Sequence, residues 1–298
     1  MIVDENYAKN SSWKPDLFKG KVAFITGGSG TICKVQAKAL VALGANAAII
    51  GRNPDKAEAA AKEIASLRPG ATVLGIGNVD VRSVQSIKHA ADLAVSKLGK
   101  IDFVIAGAAG NFLADFNHLS SNAFKSVISI DLLGAFNTVK AVFPHLKKSQ
   151  GCLLFVSATL QYTGIPLQTH ASAAKAGIDA MSNNLAVEFG PLGIRVNCIA
   201  PGAIGGNGGD SNDSSMTEGM KRLGGAKIEQ LPKEIPLQRL GTTTDIADAT
   251  VWLFSPAASY VTGEIVVVDG GMWHSGLRTN NSPTPEQLVK LLNDKPRL

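Results

Sequence analysis

The stretch Thr26-Gly27-Gly28-Ser29-Gly30-Thr31-Ile32-Cys33 follows an apolar run and opens a segment of helical period. Glycines there let the backbone approach a pyrophosphate, and the first turn of the following helix offers its N–H groups to the same anion. The next apolar run ends Ile49-Ile50-Gly51-Arg52-Asn53, where an adenosine ribose would lie. A carboxylate at that place suits the 2′-hydroxyl of NAD, whereas an arginine suits a 2′-phosphate through charge-assisted, fork-like hydrogen bonds. Arg52 therefore points to NADPH. The three cysteines, Cys33, Cys152 and Cys198, form no CxxC or Cys/His cluster. Neither a metal site nor a disulfide framework is expected, and they read as small buried apolar residues.

The elements that must position such a site alternate along the chain. Short β-branched apolar runs at 21–26, 47–50, 73–76, 101–106, 152–156, 194–199 and 265–268 read as strands. Segments of helical period near 32–43, 55–67, 83–98, 120–148, 172–189 and 244–255 lie between them. Such alternation predicts an α/β fold, a Rossmann-type doubly wound parallel sheet of about seven strands with helices on both faces. The ligand of such a sheet sits beyond the C-terminal ends of the strands, so functional residues belong in the loops that follow them.

With 298 residues, 45% of them hydrophobic, the chain can bury one large core, and a single domain over 19–275 is expected. Residues 1–18 form an N-terminal extension and 276–298 a polar tail. Residues 203–216, rich in Gly, Ser, Asn and Asp, read as a flexible insertion and a lid over the substrate. No apolar run approaches the roughly 20 residues of a membrane span, so no membrane insertion is expected. Asp4, Glu5 and Asn6 precede any hydrophobic stretch, unlike a secretory leader. The net charge of +5 is modest and its basic residues are scattered, which disfavours nucleic acid as a partner.

Several motifs, in order, resemble those of the short-chain dehydrogenase/reductase family from Lys19 to about Met272. They are the glycine turn, Asn78-Val79-Asp80, Ala106-Gly107-Ala108-Ala109-Gly110, Asn197-Cys198-Ile199-Ala200-Pro201-Gly202, Val261-Thr262-Gly263-Glu264 and Val268-Asp269-Gly270-Gly271. The resemblance implies that Asp80 approaches the adenine amino group, that Ala106 borders the cofactor, and that Pro201, Gly202 and Ile204 face the nicotinamide. Thr31 and Cys33 stand where the family usually has glycines, and Ala106 where it usually has asparagine. The larger Cys33 side chain is expected to loosen the packing of helix on strand and to alter the cofactor pose slightly.

Most members of that family use Tyr-x-x-x-Lys, the lysine lowering the tyrosine pKa so that the phenol can exchange a proton with a carbonyl or alcohol oxygen. Here Lys175 is present, but Ala171 holds the tyrosine position and Ala158 that of the usual serine, between Ser157 and Thr159. Ordinary ketone or alcohol chemistry is disfavoured, and reduction of a conjugated system is favoured. The chain is similar to 2,4-dienoyl-CoA reductases of the peroxisomal type in Ala108-Ala109-Gly110-Asn111-Phe112, Asn122-Ala123-Phe124-Lys125-Ser126, Ser157-Ala158-Thr159 and Ile235-Pro236-Leu237-Gln238-Arg239-Leu240-Gly241. The mitochondrial type keeps a tyrosine where this chain has Leu160.

That resemblance implies NADPH-dependent reduction of a 2,4-dienoyl-CoA to a 3-enoyl-CoA, as in β-oxidation of unsaturated fatty acids. Asp131 and Lys175 would orient a water as the proton donor, and Lys175 would also hold the nicotinamide ribose. Asn111 and Phe112 would line the acyl channel, Ser120, Ser121 and Asn122 would meet the CoA portion, and Arg222 a CoA phosphate. His170, beside the vacated tyrosine position, reads as a hydrogen-bonded pocket histidine without a chemical role. The tail Pro296-Arg297-Leu298 resembles a peroxisomal address read by an import receptor, with proline in place of the usual small residue. A homodimer or homotetramer and a peroxisomal matrix location are implied. Two other readings remain: a reductase of carbonyls or 2-enoyl thioesters, and a catalytically inactive nucleotide-binding protein.

Overall fold

Every residue of Val22-Ala23-Phe24-Ile25-Thr26 is buried, a burial pattern that belongs to a strand covered on both faces. A computed structural model describes residues 2–205 and 232–275 of the chain. In chain order the elements that matter are α1 (Tyr7–Asn10), β1 (Val22–Thr26), α2 (Thr31–Ala42), β2 (Asn46–Ile50), α3 (Pro54–Ala65), β3 (Val73–Ile76), α4 (Val84–Leu98) and β4 (Phe103–Ala106). They continue as α5 (Ser121–Ser149), β5 (Cys152–Val156), α6 (Leu160–Thr163), α7 (Thr169–Phe189), β6 (Arg195–Pro201), α8 (Thr243–Phe254) and β7 (Ile265–Val268).

The helix starts follow local chemistry. Asn53, Ser83 and Ser120 each accept a backbone N–H in the first turn of α3, α4 and α5. Thr242 and Asp245 close a reciprocal capping box on α8. At the far end of α4, Gly99 takes φ 89°, a left-handed stop that glycine adopts without strain.

The strands form one parallel sheet in the order β3-β2-β1-β4-β5-β6-β7. Successive side chains of each strand point to opposite faces. Ala23, Ile25, Ala47, Ile49 and Ile105 join one core with α2, α3 and α8. Phe24, Ala48, Ile50, Val104 and Phe155 join the other with α4, α5 and α7. The N-terminal stretch belongs to the first core: Val3, Tyr7 and Phe18 are buried there. The Tyr7 hydroxyl and the Trp13 indole N–H both donate to Asp248 of α8, at 2.5 and 2.8 Å.

Helix α5 is long and apolar enough to cross a membrane on length and composition alone, a length of apolar chain that the sequence reading did not anticipate. Here it packs between α4 and α7 and buries Asp131, Asn137 and Thr138, which places it in a protein core. The sheet reverses its direction of growth between β1 and β4. Thr26 pairs with Ile50 on one side and Ala106 on the other, so three loops diverge from one level of the sheet and open a crevice.

Candidate active site

A cleft of about 890 Å³ occupies that crevice. Its floor is backbone: Gly27 has φ 68°, and a Cβ there would stand 2.8 Å from the Ala108 Cα and the Gly107 carbonyl. Gly30 caps α2 without a side-chain hydrogen bond, so Thr31 and Ile32 open the helix directly onto the cleft. A pyrophosphate fits this cradle, because any side chain at Gly27 would fill it and the helix terminus supplies donors. Thr26 is buried beneath, its hydroxyl donating to the Ile105 carbonyl at 3.4 Å. Ser29 and Gly30 line the cleft, while Gly28 is turned against the Ile25 carbonyl and Ile49.

At one end of the cleft stand Arg52, Asn53 and Lys56. The sequence reading named only Arg52 here; the Asn53-Pro54 pair, a helix cap followed by a first-turn proline, was the available signal for a second helix terminus. Asp80 lines the same end but is gripped by Arg82, with contacts of 2.5 to 3.0 Å. That hydrogen-bonded guanidinium holds the carboxyl below its usual range. Ala106 is buried between Thr26 and Phe155, Pro201 ends β6, and Gly202 is wedged so that a Cβ would meet the Asp269 Cβ at 2.4 Å. Ile204 pairs with Gly241 and lines the cleft.

Cys33 does not hold α2 away from the sheet, as its size had suggested. Its sulfur occupies space that Gly107 leaves open, 3.8 Å from that residue's carbonyl, and the residue is buried in the core. A Cβ at Gly107 would stand 2.3 Å from the sulfur. Burial pushes the thiol up to about 12, so it is an inert packing group.

At the other end of the cleft the structure brings Asp131 and Lys175 together from α5 and α7. Lys175 Nζ lies 3.3 Å from Asp131 Oδ2 and donates to the Val156 carbonyl at 3.0 Å. Asp131 Oδ1 accepts the Gly110 N–H at 2.7 Å. Asp131 is 1% exposed, and burial raises its pKa against the opposing pull of Lys175 and Gly110. Ala171 is buried on the same helix, one turn before Lys175.

Two segments meet near this end, although Asn111, Phe112, Gln168 and His170 are not among the residues that line the cleft. Asn111 Nδ2 donates to Gln168 Oε1 at 2.8 Å, and the Phe112 ring lies 4.4 Å from the His170 ring, joining the loop after β4 to the start of α7. Phe112 is exposed on its outer side. Ser120, Ser121 and Asn122 form the exposed first turn of α5, and none of them lines the cleft. Arg222, most of the 203–216 insertion, and the tail with Pro296-Arg297-Leu298 lie outside the described residues.

The sequence reading missed a buried cluster farther along α7. Asp179, one turn after Lys175, accepts Gln161 Nε2 at 2.5 Å and the Tyr162 hydroxyl at 2.9 Å, with the Cys198 thiol at 3.6 Å. Gln161 also donates to Ser157 Oγ at 3.2 Å, so the cluster fixes the turn after β5 that lines the cleft. The helical spacing of Lys175 and Asp179 was visible, but its partners on α6 and β6 were not.

Comparisons with known proteins agree with this architecture. The family model described as enoyl-(acyl carrier protein) reductase matches residues 28–273. The chain is similar to the peroxisomal 2,4-dienoyl-CoA reductase of Saccharomyces cerevisiae, of the (3E)-enoyl-CoA-producing kind, with 58% identity over 295 residues covering 98% of each chain. It is also similar to the protein of the same description from Danio rerio, with 44% identity over 88% of this chain and 84% of the other. Among solved structures, a 3-ketoacyl-(acyl-carrier-protein) reductase from Brucella melitensis complexed with NADH superposes with a TM-score of 0.74 and 27% identity, covering 86% of this chain and 99% of that one. With its seven-stranded parallel sheet, its glycine cradle and this match over most of its length, the chain belongs to the short-chain dehydrogenase/reductase family.

Proposed function

We propose that this protein is an NADPH-dependent 2,4-dienoyl-CoA reductase that forms a 3-enoyl-CoA. The observation that carries the reading is the buried Asp131–Lys175 pair at the end of the cleft, on a helix where Ala171 leaves no phenol to serve a ketone or alcohol. The similarity to the yeast and zebrafish reductases supports the same substrate class.

The cleft would hold NADPH, which when bound would supply the hydride for reduction of the dienoyl thioester at its δ-carbon. Arg52 and Lys56, beside the α3 N-terminus, favour the 2′-phosphate that distinguishes NADPH from NADH. Gly27 and the start of α2 would hold the pyrophosphate, Asp80 the adenine, and Pro201, Gly202 and Ile204 the nicotinamide side. Charge that spreads toward the thioester oxygen is stabilised by the Lys175 ammonium in a site largely screened from water. Asp131 and Lys175 orient a water that protonates the α-carbon. An unperturbed carboxyl would be a poor acid at neutral pH; burial of Asp131 moves it toward the range where proton transfer is useful. Asn111 and Phe112 line the acyl channel, while Ser120, Ser121, Asn122 and Arg222 serve the CoA portion.

The protein acts in the peroxisomal matrix, delivered by an import receptor that reads Pro296-Arg297-Leu298, and assembles as a homodimer or homotetramer. The test of function is direct. Purified protein with NADPH and a 2,4-dienoyl-CoA loses the absorbance of both reactants. Tight NADPH binding without turnover on any dienoyl-CoA, or faster turnover on a 2-enoyl or 3-oxo thioester, overturns the assignment.

A further inference from the structure

The turn after β3 is tied to the end of the cleft where Arg52 and Lys56 stand. Asn78 takes φ 57°, in the left-handed region that asparagine enters more readily than most side chains and that a branched one avoids. In that conformation its N–H donates to the Arg52 carbonyl at 3.2 Å, and the next N–H, from Val79, donates to the Gly51 carbonyl at 3.1 Å. Gly51 returns a bond, its own N–H donating to the Ile76 carbonyl at 3.1 Å. The turn also presses on the first residue of α3: a Cβ at Gly77 would stand 2.2 Å from the Pro54 Cα. Asn53 caps the same helix by accepting the Lys56 N–H at 2.9 Å, and Gly51, Arg52, Asn53, Pro54 and Lys56 all line the cleft. Arg52 is itself exposed, so its backbone, rather than side-chain packing, decides which rotamers point the guanidinium along the cleft. Asn78 is exposed and does not line the cleft; what it contributes is the conformation of its backbone.

We infer that Asn78 governs the choice of nucleotide without touching it: its left-handed turn holds Arg52 where the guanidinium meets a 2′-phosphate. The inference rests on the NADPH reading, in which Arg52 takes that phosphate. A fork-like contact is strong only while the planar group is aligned with the oxygens of its anion. A side chain that cannot hold the left-handed conformation draws the residue 78 N–H off the Arg52 carbonyl, and the alignment is lost. The pyrophosphate cradle at Gly27 and the start of α2 stands on the loops after β1 and β4 and keeps its shape. Glycine reaches the same conformation at no steric cost, so it can replace Asn78 where valine cannot. Asn78 is thus a positioning residue that acts through Arg52.

Calorimetric titration of the full chain with 2′,5′-ADP and with 5′-AMP reads the 2′-phosphate contact without any turnover. The wild type binds 2′,5′-ADP about 10- to 100-fold more tightly than 5′-AMP, the worth of a charge-assisted contact, and Arg52→Ala loses most of that preference. Asn78→Val lowers the preference by about fivefold or more, through the contact to the 2′-phosphate alone. Asn78→Gly keeps it within about twofold of wild type, and Asn78→Val changes it by less than about twofold when Arg52 is already alanine, because the two residues act as one unit. A wild type that does not prefer 2′,5′-ADP, or an Arg52→Ala variant that keeps the full preference, defeats the NADPH reading and this inference together. With both controls as expected, the inference alone is overturned if Asn78→Val retains the wild-type preference or weakens both probes equally. It is also overturned if Asn78→Gly loses the preference as the valine variant does, since the side chain and not the turn would then be responsible. Should Asn78→Val not fold, Asn78→Ala, which lacks the branch, decides by the same ratio.

Discussion

Replacing Gly107 by alanine tests the most specific packing relation in the cofactor cleft. The new methyl group would stand 2.3 Å from the Cys33 sulfur, 3.3 Å from Val156 Cγ2 and 3.4 Å from the Thr26 carbonyl. The sulfur cannot swing away, because Cys33 is buried on the first turn of α2 within the core. Either α2 or the loop after β4 must shift, an overpacking that costs about 1–3 kcal/mol. Cys33→Ala alone removes one buried atom, worth about 0.8 kcal/mol on the scale of a methylene. In the double variant the 2.3 Å clash is gone and only the two milder contacts remain. The cost of Gly107→Ala should then fall by about 1–2 kcal/mol, a coupling in the range measured for residues in contact. Urea denaturation of the four proteins measures it, and NADPH titration reports the same shift at the cleft, since both residues line it. If the two single losses simply add, the sulfur is not what requires glycine at 107, and the account of how Cys33 is accommodated fails.

Asp131→Asn keeps an acceptor for the Gly110 N–H but removes the carboxyl proton, so kcat should drop by about 100-fold or more while NADPH affinity changes little; steady-state kinetics beside a binding titration checks both. Arg52→Ala removes a charge-assisted contact worth about 1.5–3 kcal/mol, which raises the KM for NADPH about 10- to 100-fold and leaves that for NADH nearly unchanged. Arg239 holds Asp245 at about 2, below its ordinary 3.8. The folded-state value is the depressed one, so this stabilisation is present above about pH 4 and is lost as pH falls toward 2. Both groups are partly exposed, so solvent screening keeps this contribution small. Arg239→Ala should flatten that part of the acid denaturation curve without changing stability's pH dependence above pH 5.

The strands were legible because parallel strands under two helical layers are continuous apolar runs. β3, β5 and β7 have the bounds that the sequence pattern suggests, and the glycine turn sits where such a sheet requires it. The start of α7 was less legible. It begins at Thr169 rather than near 172, and Gln168 gives no side-chain cap to announce it. Helix α6 is a single turn, too short to show a period. The relations that depend on residues distant in sequence were hidden. Gly107 makes room for Cys33, and Tyr7 and Trp13 anchor on Asp248, yet none of these pairs has a spacing that periodicity could reveal. The Asp131–Lys175 pairing across two helices was reached through family resemblance, and it is the contact geometry that gives it physical form.

The strand order has one more consequence. β1, β2 and β3, with Arg52 and Asp80 at their ends, fill one side of the crevice and all lie before residue 81. The strands and helices that carry Asp131, His170 and Lys175 come from later in the chain and fill the other. The choice of nucleotide and the choice of reaction are thus written on successive, nearly separate stretches of polypeptide. Either can drift or be exchanged while the other stays intact, and a lineage built on this sheet can trade a phenol for a carboxylate without rebuilding the groove that holds its dinucleotide.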